Sequence, residues 1–505
     1  MWRTSAFLLA LAATSSFAAS IPNARRSAKP VGKRQSTIVP QNDNTTSYAV
    51  DGTSLPEVDF DVGESYAGLM PISDEEDSPE LFFWFFPSEN PAAENEITIW
   101  LNGGPGCSSL EGLFQENGPV LWQWGTFKPV RNPWSWHNLT NMLYVEQPVG
   151  TGFTTGEPTA TNEEMAADQF LGFFKNFVDT FGFHERSIYI AGESYAGKYI
   201  PYISNAMFDA EDTTYYNLES IMLIDPSLSE DIIQEEIPAV PFVDYWGPLL
   251  NLNESFLEDI HDRADACNFT SFIETYLVFP PPGPMPMPEE SEECGLWGDI
   301  LDAEFLINPC FNVYRITDTC PVLWDVLGFP GSFEYTPPGA SVYFNRSDVQ
   351  EAINAPVGAT WALCSDGVLD QDTSPETALS VLPGVIEQTN KTIITHGTAD
   401  YILLAQGSLL AIQNMTWEGE QGFQSEPADP FFVPYHEDQS VASLAGAGVM
   451  GTTHTERGLT WIEVNMAGHM LPQFVPSAMY RQLEFLLGRV ESVTEDTPFT
   501  TLQTQ

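Results

Sequence analysis

The sequence predicts an α/β protein with a mostly parallel central sheet. Short apolar runs alternate with longer mixed segments over most of its 505 residues, an order that is typical of parallel βαβ units. One apolar run, 187–191, leads directly into a tight Gly-x-Ser turn centred on Ser194. Apolar residues make up 43% of the chain, which predicts a packed core. The length accommodates one large α/β domain with insertions or two domains.

Six apolar runs are the clearest strand candidates. They span 96–101, 141–146, 187–191, 220–224, 391–395 and 461–464. A helix is predicted over 166–181, before the run that starts at residue 187. The character of the chain changes between about residues 226 and 340, which hold four of the six cysteines and a proline-rich run at 280–288. Because each proline removes a backbone donor and fixes φ, that run is predicted to be an exposed loop of an insertion.

The N-terminal region is predicted to be processed. Arg3, the apolar stretch 7–13 and the small residues Ala18 and Ala19 are typical of a secretory signal peptide. Lys33-Arg34 is a dibasic pair, which predicts removal of a short pro-segment unless the pair occurs by chance. The predicted organisation is a signal peptide (1–19), a pro-segment (20–34), an N-terminal part of the core (35–225), the insertion (226–340), a C-terminal part of the core (341–490) and a tail (491–505).

Acidic side chains dominate the charge of the protein. There are 70 Asp and Glu against 18 Lys and Arg, for a formal net charge of −52. A surface of this sign repels nucleic acid and anionic membranes, because phosphate binding needs clustered basic side chains. Protonation relieves the repulsion among carboxylates, so the composition favours an acidic environment; the alternative is an adaptation for solubility alone. No segment of about 20 residues is apolar enough to span a bilayer, so no membrane anchor is expected.

Cysteines and glycosylation acceptors agree with a secreted protein. Six cysteines form three disulfides in any of fifteen pairings, and spacing alone selects none of them. Seven Asn-x-Ser/Thr acceptors predict a glycoprotein. These acceptors are Asn44, Asn138, Asn253, Asn268, Asn345, Asn390 and Asn414. We therefore expect secretion, with the vacuole as the alternative destination.

Ser194 is the predicted nucleophile. Gly192 and Ala196 lie two residues before and after it. Small side chains are needed at these positions, because the strand and the helix of a nucleophile elbow pass close together. The pattern is Gly-x-Ser-x-Ala, and by itself it also occurs by chance.

The order of later polar residues strengthens this prediction. Elbow hydrolases carry an acid and then a histidine on loops after later strands. Asp400 follows the run 391–395 and His469 follows the run 461–464, so they are the predicted acid and general base. A turn or helix cap is the alternative role of Asp400. His396 also follows a late strand, but it precedes every nearby acid on its loop. Composition alone does not exclude three other candidates for the acid, which are Asp366, Asp370 and Asp372.

A glycine-rich turn, Asn102-Gly103-Gly104-Pro105-Gly106, follows the first predicted strand. Glycines there let backbone N–H groups approach a substrate closely, as an oxyanion hole requires; a plain turn is the alternative. The turn lacks the Lys and Ser/Thr that follow the last Gly of a phosphate-binding loop, so no nucleotide site is expected.

No cluster with metal-ligand spacing is found, and neither a metal nor another cofactor is expected.

Five sequence blocks together resemble the serine carboxypeptidase family. They are Trp100-Leu101-Asn102-Gly103-Gly104-Pro105-Gly106-Cys107-Ser108-Ser109, Asn132-Pro133-Trp134-Ser135-Trp136, Gln147-Pro148-Val149-Gly150-Thr151-Gly152-Phe153, Gly192-Glu193-Ser194-Tyr195-Ala196-Gly197 and Gly468-His469-Met470. The resemblance runs from about residue 47 to 490 and is faint in the insertion. It implies an α/β-hydrolase fold with a helical insertion over the active site. It also implies the release of single C-terminal amino acids from peptides and proteins.

The resemblance implies a role for each site residue. Ser194 is the implied nucleophile, His469 the general base and acid, and Asp400 the acid that orients the histidine. The backbone N–H groups of Gly104 and Tyr195 are the implied oxyanion hole. The implied ligands of the substrate's terminal carboxylate are Trp100, Asn102, Glu116 and Glu193. Two neighbouring carboxyl groups rarely ionise together, so the glutamate pair is expected to hold a proton and to bind peptides best at acidic pH.

The resemblance also implies the pairing of the cysteines. The implied bonds are Cys107–Cys364 and, nested in the insertion, Cys267–Cys320 and Cys294–Cys310.

Three positions depart from the family pattern. His396 stands where the family commonly has Asn, Ile224-Asp225 where it has Gly-Asn, and Phe474 where Asp is common.

Two alternatives stay open: an acyltransferase or lyase on the same scaffold, and a catalytically silent binding protein. The complete triad favours the carboxypeptidase, whose partners are the C-termini of peptides and proteins. The sequence does not distinguish a monomer from a homodimer.

Overall fold

The computed structural model describes residues 39, 42–289, 291–436 and 447–501. The predicted signal peptide and pro-segment lie outside these residues, as does the end of the predicted tail, 502–505. In the described part of the chain the strands are β1 (Ala49–Val50), β2 (Ser65–Pro71), β3 (Glu80–Phe86), β4 (Glu96–Leu101), β5 (Val120–Leu121), β6 (Val130–Arg131), β7 (Met142–Glu146), β8 (Ser187–Glu193), β9 (Leu218–Ile224), β10 (Lys391–Gly397), β11 (Thr416–Trp417), β12 (Glu420–Gln421), β13 (Asp429–Val433), β14 (Gly448–Glu456) and β15 (Leu459–Val464).

Eleven of these strands form one mixed sheet in the spatial order β1-β2-β3-β7-β4-β8-β9-β10-β15-β14-β13. The six central strands, from β7 to β15, are parallel. Antiparallel strands flank them on both sides. The pairs β5–β6 and β11–β12 form two short ribbons. The mostly parallel sheet expected from the sequence is confirmed.

The six predicted strands are the six parallel strands of this sheet. The run at 96–101 is β4 with both ends as predicted, and the other runs are β7, β8, β9, β10 and β15 with ends that differ by one or two residues. Strands that are covered on both faces have continuous apolar sequences, which explains why these six were identified. By contrast, β14 alternates between more and less exposed residues and has a polar sequence, so no apolar run marks it.

The helices of the described residues are α1 (Asp43–Thr46), α2 (Glu163–Phe181), α3 (Ala196–Asp209), α4 (Ala239–Leu250), α5 (Glu254–Ala266), α6 (Phe269–Tyr276), α7 (Leu296–Ile307), α8 (Ser347–Ala352), α9 (Leu382–Gln388), α10 (Ala405–Asn414), α11 (Leu471–Phe474) and α12 (Pro476–Leu486). The helix predicted over 166–181 is α2. It begins earlier than predicted, because the side chain of Asn162 caps it by accepting the backbone N–H of Met165 at 2.9 Å. Phe177 and Phe181 of α2 pack edge to face on Phe83 of β3, and burial of each ring contributes about 1.5–3 kcal/mol.

Helices α4 to α7 lie in the insertion, between β9 and β10. The prolines of 280–288 belong to neither helix nor strand. The ring of Trp297 in α7 stacks on Tyr401, just after β10, with centroids 5.4 Å apart. Nε1 of Trp246 in α4 donates to the carbonyl oxygen of Thr398 at 2.9 Å. The insertion therefore packs on the loop that follows β10. Among the described residues, every helix is too short or too polar to cross a membrane.

One expected disulfide is confirmed and two are wrong. The bonds present are Cys107–Cys364, Cys267–Cys294 and Cys310–Cys320. The expected bonds Cys267–Cys320 and Cys294–Cys310 therefore do not form.

Local contacts explain the two disulfides of the insertion. Nε of Arg263, near the end of α5, donates at 3.0 Å to the carbonyl oxygen of the residue before Cys294. This contact brings the end of α5 next to the start of α7, and the Cα atoms of Cys267 and Cys294 lie 5.9 Å apart. Cys310 and Cys320 are only 10 residues apart in sequence, and their Cα atoms are separated by 5.1 Å. Both distances suit a disulfide.

Digestion with a Glu-specific protease, without reduction and after removal of N-glycans, distinguishes the two patterns. Cleavage at glutamates puts Cys267 in peptide 259–274, Cys294 in peptide 294–304, and Cys310 with Cys320 in peptide 305–334. By mass spectrometry we expect peptide 259–274 bonded to peptide 294–304, and peptide 305–334 alone with an internal bond. A single species that joins all three peptides would contradict the pairing described above.

Candidate active site

Strand β8 ends in the nucleophile elbow that the sequence predicts. Ser194 follows Glu193, the last residue of β8, and has a left-handed φ of 63°. Helix α3 then starts at Ala196. The carbonyl oxygen of Ser194 accepts the N–H groups of Gly197 at 2.9 Å and Ser227 at 3.0 Å. A non-glycine residue in this conformation is strained by about 1–3 kcal/mol, and these contacts hold it there.

Small residues two positions before and after Ser194 permit this turn. A side-chain carbon on Gly192 would lie 2.2 Å from the carbonyl oxygen of Leu101 and 2.9 Å from Cβ of Ala196. Both distances are shorter than van der Waals contact allows, so only glycine fits at 192. The structural requirement inferred from the sequence is confirmed for Gly192.

Asp400 and His469 meet beyond the ends of β10 and β15. Nδ1 of His469 lies 2.7 Å from Oδ2 of Asp400, and the two side chains are 2% and 0% exposed. An ionised carboxylate only accepts hydrogen bonds, so Nδ1 carries the proton and Nε2 holds the lone pair. Nε2 is buried and has no hydrogen-bond partner among the described residues. It is therefore free to take a proton, and a bond to Ser194 is not formed in this structure.

Backbone groups hold this pair in place. Oδ1 of Asp400 accepts the N–H of Ile402 at 2.9 Å. The N–H of His469 donates to the carbonyl oxygen of Tyr314 at 2.7 Å, and the two rings are 5.3 Å apart. Tyr314 comes from the insertion, and the sequence analysis missed it. No sequence signal marks it, because its contact with the backbone of His469 uses a carbonyl group that any residue has.

Two of the rival residues have other partners. Nε2 of His396 lies 2.8 Å from the carbonyl oxygen of Leu403. Asp372 accepts the hydroxyl of Tyr195 at 2.7 Å. Nε2 of His396 also lies 3.7 Å from Oδ2 of Asp400, but His469 is closer to that carboxyl group, at 2.7 Å.

The glycine loop after β4 closes on the elbow. A side-chain carbon on Gly103 would lie 2.4 Å from the backbone nitrogen of Tyr195 and 2.8 Å from Cβ of Ser194. Gly104 has a φ of 111°, and a side-chain carbon there would lie 2.7 Å from the backbone nitrogen of Cys107. The loop and the N–H of Tyr195 therefore lie beside the nucleophile. Backbone N–H groups in such a place stabilise an oxyanion.

Four further predicted side chains form one buried cluster. Trp100, Asn102, Glu116 and Glu193 are each at most 3% exposed. Nε1 of Trp100 donates to Oδ1 of Asn102 at 2.8 Å. Nδ2 of Asn102 donates to Oε1 of Glu193 at 2.8 Å and reaches Oε1 of Glu116 at 3.5 Å. Among the described residues no donor group reaches Oε2 of either glutamate, and the two carboxyl groups lie close enough to share a proton.

Burial raises the pKa of both glutamates. Loss of solvation raises the pKa of Glu116 to about 7, although hydrogen bonds with Glu193 and Asn102 act in the opposite direction. The pKa of Glu193 rises well above its ordinary value, first through burial and then through repulsion by Glu116. Glu111, which the sequence analysis did not identify, adds to this repulsion. At acidic pH the cluster therefore offers O–H groups that can donate hydrogen bonds to the carboxylate of a ligand.

Comparisons with known proteins identify the family of this chain. The sequence model of the serine carboxypeptidase family matches residues 56–488. A probable serine carboxypeptidase of Arthroderma benhamiae is 55% identical over 493 residues, which cover 95% of this chain and 93% of that protein. The serine-type carboxypeptidase F of Aspergillus niger is 47% identical over 474 residues, which cover 90% of this chain and 88% of that protein.

A solved structure shows the fold. The crystal structure of Kex1Δp, a prohormone-processing carboxypeptidase from Saccharomyces cerevisiae, superposes with a TM-score of 0.68 at 23% identity and covers 88% of this chain and 96% of that chain. The parallel sheet, the serine elbow and the order of serine, aspartate and histidine along the chain are those of an α/β-hydrolase, so the expected fold class is confirmed. The chain belongs to the serine carboxypeptidase family, hydrolases that act on the C-terminal end of peptides.

Proposed function

We propose that the protein removes single amino acids from the C-terminus of peptides and proteins at acidic pH, through an acyl-enzyme on Ser194. The contact that carries this proposal is the 2.7 Å bond between Nδ1 of His469 and Asp400, which leaves Nε2 of His469 without a partner among the described residues. A histidine held in this tautomer is ready to accept a proton from a serine hydroxyl. The elbow and the glutamate cluster lie at the same edge of the sheet.

Catalysis begins when Oγ of Ser194 attacks the carbonyl carbon of the last peptide bond. Nε2 of His469 takes the hydroxyl proton as the Oγ–C bond forms, and the carboxylate of Asp400 stabilises the imidazolium. The N–H groups of Gly104 and Tyr195 bind the oxyanion. His469 then gives its proton to the leaving amine as the C–N bond breaks, which releases the terminal amino acid and leaves an ester. Water then gives a proton to Nε2 of His469 as its oxygen attacks the ester carbon. The C–Oγ bond breaks, Oγ of Ser194 takes the proton back from His469, and the shortened peptide leaves with a new C-terminal carboxyl group.

The glutamate pair accounts for cleavage of one residue at a time. The O–H groups of Glu116 and Glu193 donate to the terminal carboxylate of the peptide, and Asn102 fixes the position of the pair. An internal residue has no such carboxylate, so binding favours the last peptide bond. A negative ligand stabilises the protonated form of the pair, because ionised glutamates would repel it.

We propose that the protein is secreted, with the vacuole as the alternative destination. The −52 net charge suits an acidic environment, and the N-terminal sequence resembles a signal peptide. All the predicted glycosylation acceptors are accessible to some degree. Asn44, Asn253, Asn268, Asn345 and Asn390 are exposed, and Asn138 and Asn414 are partly exposed.

Replacing Ser194 with alanine should lower kcat at least about 10⁴-fold, because no other group forms the acyl-enzyme. The measurement is a mass-spectrometric time course at about pH 4.5, where the glutamate pair holds its proton, with an N-terminally blocked peptide of mixed sequence. The unmodified protein should give a ladder of single-residue losses from the C-terminus. Ser204→Ala is the matched control, because Ser204 is a buried serine of α3 whose hydroxyl has no partner among the described residues.

Two outcomes would contradict the proposal. A ladder that persists in Ser194→Ala would contradict the role of Ser194. A peptide left intact by the unmodified protein would contradict the activity itself. In that case acyl transfer from an activated ester would favour the acyltransferase alternative, and no reaction with either substrate would leave the lyase and the silent binding protein.

The pH dependence of KM tests the glutamate pair. A carboxyl group with a raised pKa stays protonated up to that pKa and ionises above it. Because the pKa of Glu116 is about 7, the pair loses the proton of Glu116 and gains a negative charge there as pH rises through neutrality. The KM of a peptide with a free C-terminus should therefore rise at least about tenfold between about pH 6 and pH 8. Steady-state kinetics across this range measure the effect.

A matched substrate and a matched variant complete this test. The C-terminal amide of the same peptide lacks the carboxylate and should show no comparable rise in KM. Glu116→Gln keeps a donor that cannot ionise and should flatten the rise for the free peptide. A KM that stays constant between about pH 4 and pH 8 would rule out the proposed pocket.

A further inference from the structure

Two buried groups behind the catalytic pair have no part in the mechanism above. Asp225 directly follows β9, and His396 lies in the neighbouring strand β10, where Thr395 pairs with Ile224. Both side chains are 0% exposed. Nε2 of His396 lies 3.3 Å from Oδ1 of Asp225 and 3.7 Å from Oδ2 of Asp400. One carboxyl oxygen of Asp225 lies within 4.8 Å of one from Asp400.

His396 is neutral in this arrangement. Its Nε2 lies 2.8 Å from the carbonyl oxygen of Leu403, which only accepts, so Nε2 carries a proton. Nδ1 is buried and has no partner among the described residues, so a second proton there would be unsatisfied. Burial accordingly lowers the pKa of His396 to about 4, although Asp400 acts in the opposite direction. Well above pH 4, His396 therefore supplies no positive charge to balance two ionised carboxylates.

The two carboxyl groups have unequal numbers of hydrogen-bond donors. Asp400 accepts from the N–H of Ile402 at 2.9 Å and from Nδ1 of His469 at 2.7 Å. Asp225 accepts the N–H of Gly397 at 2.8 Å through Oδ1, and its Oδ2 has no partner among the described residues. Hydrogen bonds from donors stabilise the ionised form. Asp225 is therefore the group that keeps a proton more readily.

The surroundings of Asp225 act in the same direction. Burial is the largest cause of a pKa well above the ordinary value of Asp225, and the nearby Asp400 and Glu116 raise it further. Glu193, at the end of β8, also faces Asp225, since Asp225 contributes to its raised pKa. The backbone N–H of Gly397 acts in the opposite direction. A second negative charge in this place would face three other acidic groups.

We propose that Asp225 and Asp400 form one carboxyl–carboxylate pair with a single proton, carried by Asp225, so that His469 faces one negative charge instead of two. The inference rests on the triad proposed above, and Asp225 is a positioning residue that does not touch the substrate. Two negative charges would stabilise the imidazolium of His469 and keep it protonated to higher pH. A protonated His469 cannot take the proton of Ser194. The proton on Asp225 therefore extends catalysis to lower pH.

Asp225→Asn tests the proposal, because the amide keeps an acceptor for Gly397 and a neutral donor beside Asp400. Pro226 follows, so the substitution creates no glycosylation acceptor. The acid limb of the profile of kcat against pH should stay within about 0.3 pH units of the unmodified protein. Asp225→Ala removes this donor, and its acid limb should shift to higher pH by at least about 0.5 pH units. The asparagine variant, which keeps a donor, should not show this shift.

The matched control is Glu304→Gln. Glu304 lies in α7, is 2% exposed, and has a pKa that burial raises to about 7. Its substitution removes a buried carboxyl group elsewhere and should leave the profile unchanged. If the acid limb of Asp225→Asn shifts to lower pH by about one unit, Asp225 is ionised in the unmodified protein, and the proposal is overturned. A profile of Asp225→Ala identical to that of the unmodified protein would also overturn it.

Infrared spectroscopy of the substrate-free protein gives a readout that does not depend on turnover. The difference spectrum between the unmodified protein and Asp225→Asn near neutral pH should contain the C=O stretch of a protonated carboxyl group. A difference spectrum with only carboxylate bands would overturn the proposal. Because no substrate is present, this result stands whether or not peptides are cleaved, so failure of the proton-sharing pair and failure of the carboxypeptidase proposal are distinguishable.

Discussion

Five parallel strands end at one edge of the sheet, and the site is built on those ends. The glycine loop follows β4, Ser194 follows β8, Asp225 follows β9, and Asp400 and His469 follow β10 and β15. Register sets their spacing: Leu101 pairs with Gly192, and Gly397 pairs with Val464. A shift of one residue would turn each strand's side chains to the opposite face. The site residues lie far apart in sequence, and their relative positions therefore depend on the pairing of five strands.

The second constraint is the burial of carboxyl groups away from water. It affects two pairs of acidic residues at this edge of the sheet. In water both members of each acidic pair would ionise at neutral pH. In the buried cluster the charged form of Glu116 and Glu193 is penalised, which raises both pKa values. The same penalty applies to Asp225 beside Asp400. In the roles proposed above, the first pair binds a carboxylate and the second limits the charge on the histidine, and both effects favour activity at acidic pH.

The sequence predicted the parts of the fold and site that depend on local patterns. Apolar runs identified the six parallel strands, and polar residues just past three of their ends identified Ser194, Asp400 and His469. The pairing of Cys267 could not be predicted in the same way, because it depends on how α5 packs beside α7. The protonation of Asp225 could not be predicted either, since it follows from how few donors reach its carboxyl group in three dimensions.

The insertion supports the loops that carry Asp400 and His469. Its Tyr314 accepts the N–H of His469 at 2.7 Å, and its Val313 accepts the N–H of Tyr401 at 2.8 Å. Without these carbonyl groups, two buried donors on either side of the catalytic pair would lose their partners, at about 1–3 kcal/mol each. Glu111, Asp400 and Glu193 all raise the pKa of Tyr314, after burial as the main cause. The segment that holds the histidine therefore also faces the buried acidic cluster, and a shift of the insertion would disturb both the histidine and the cluster.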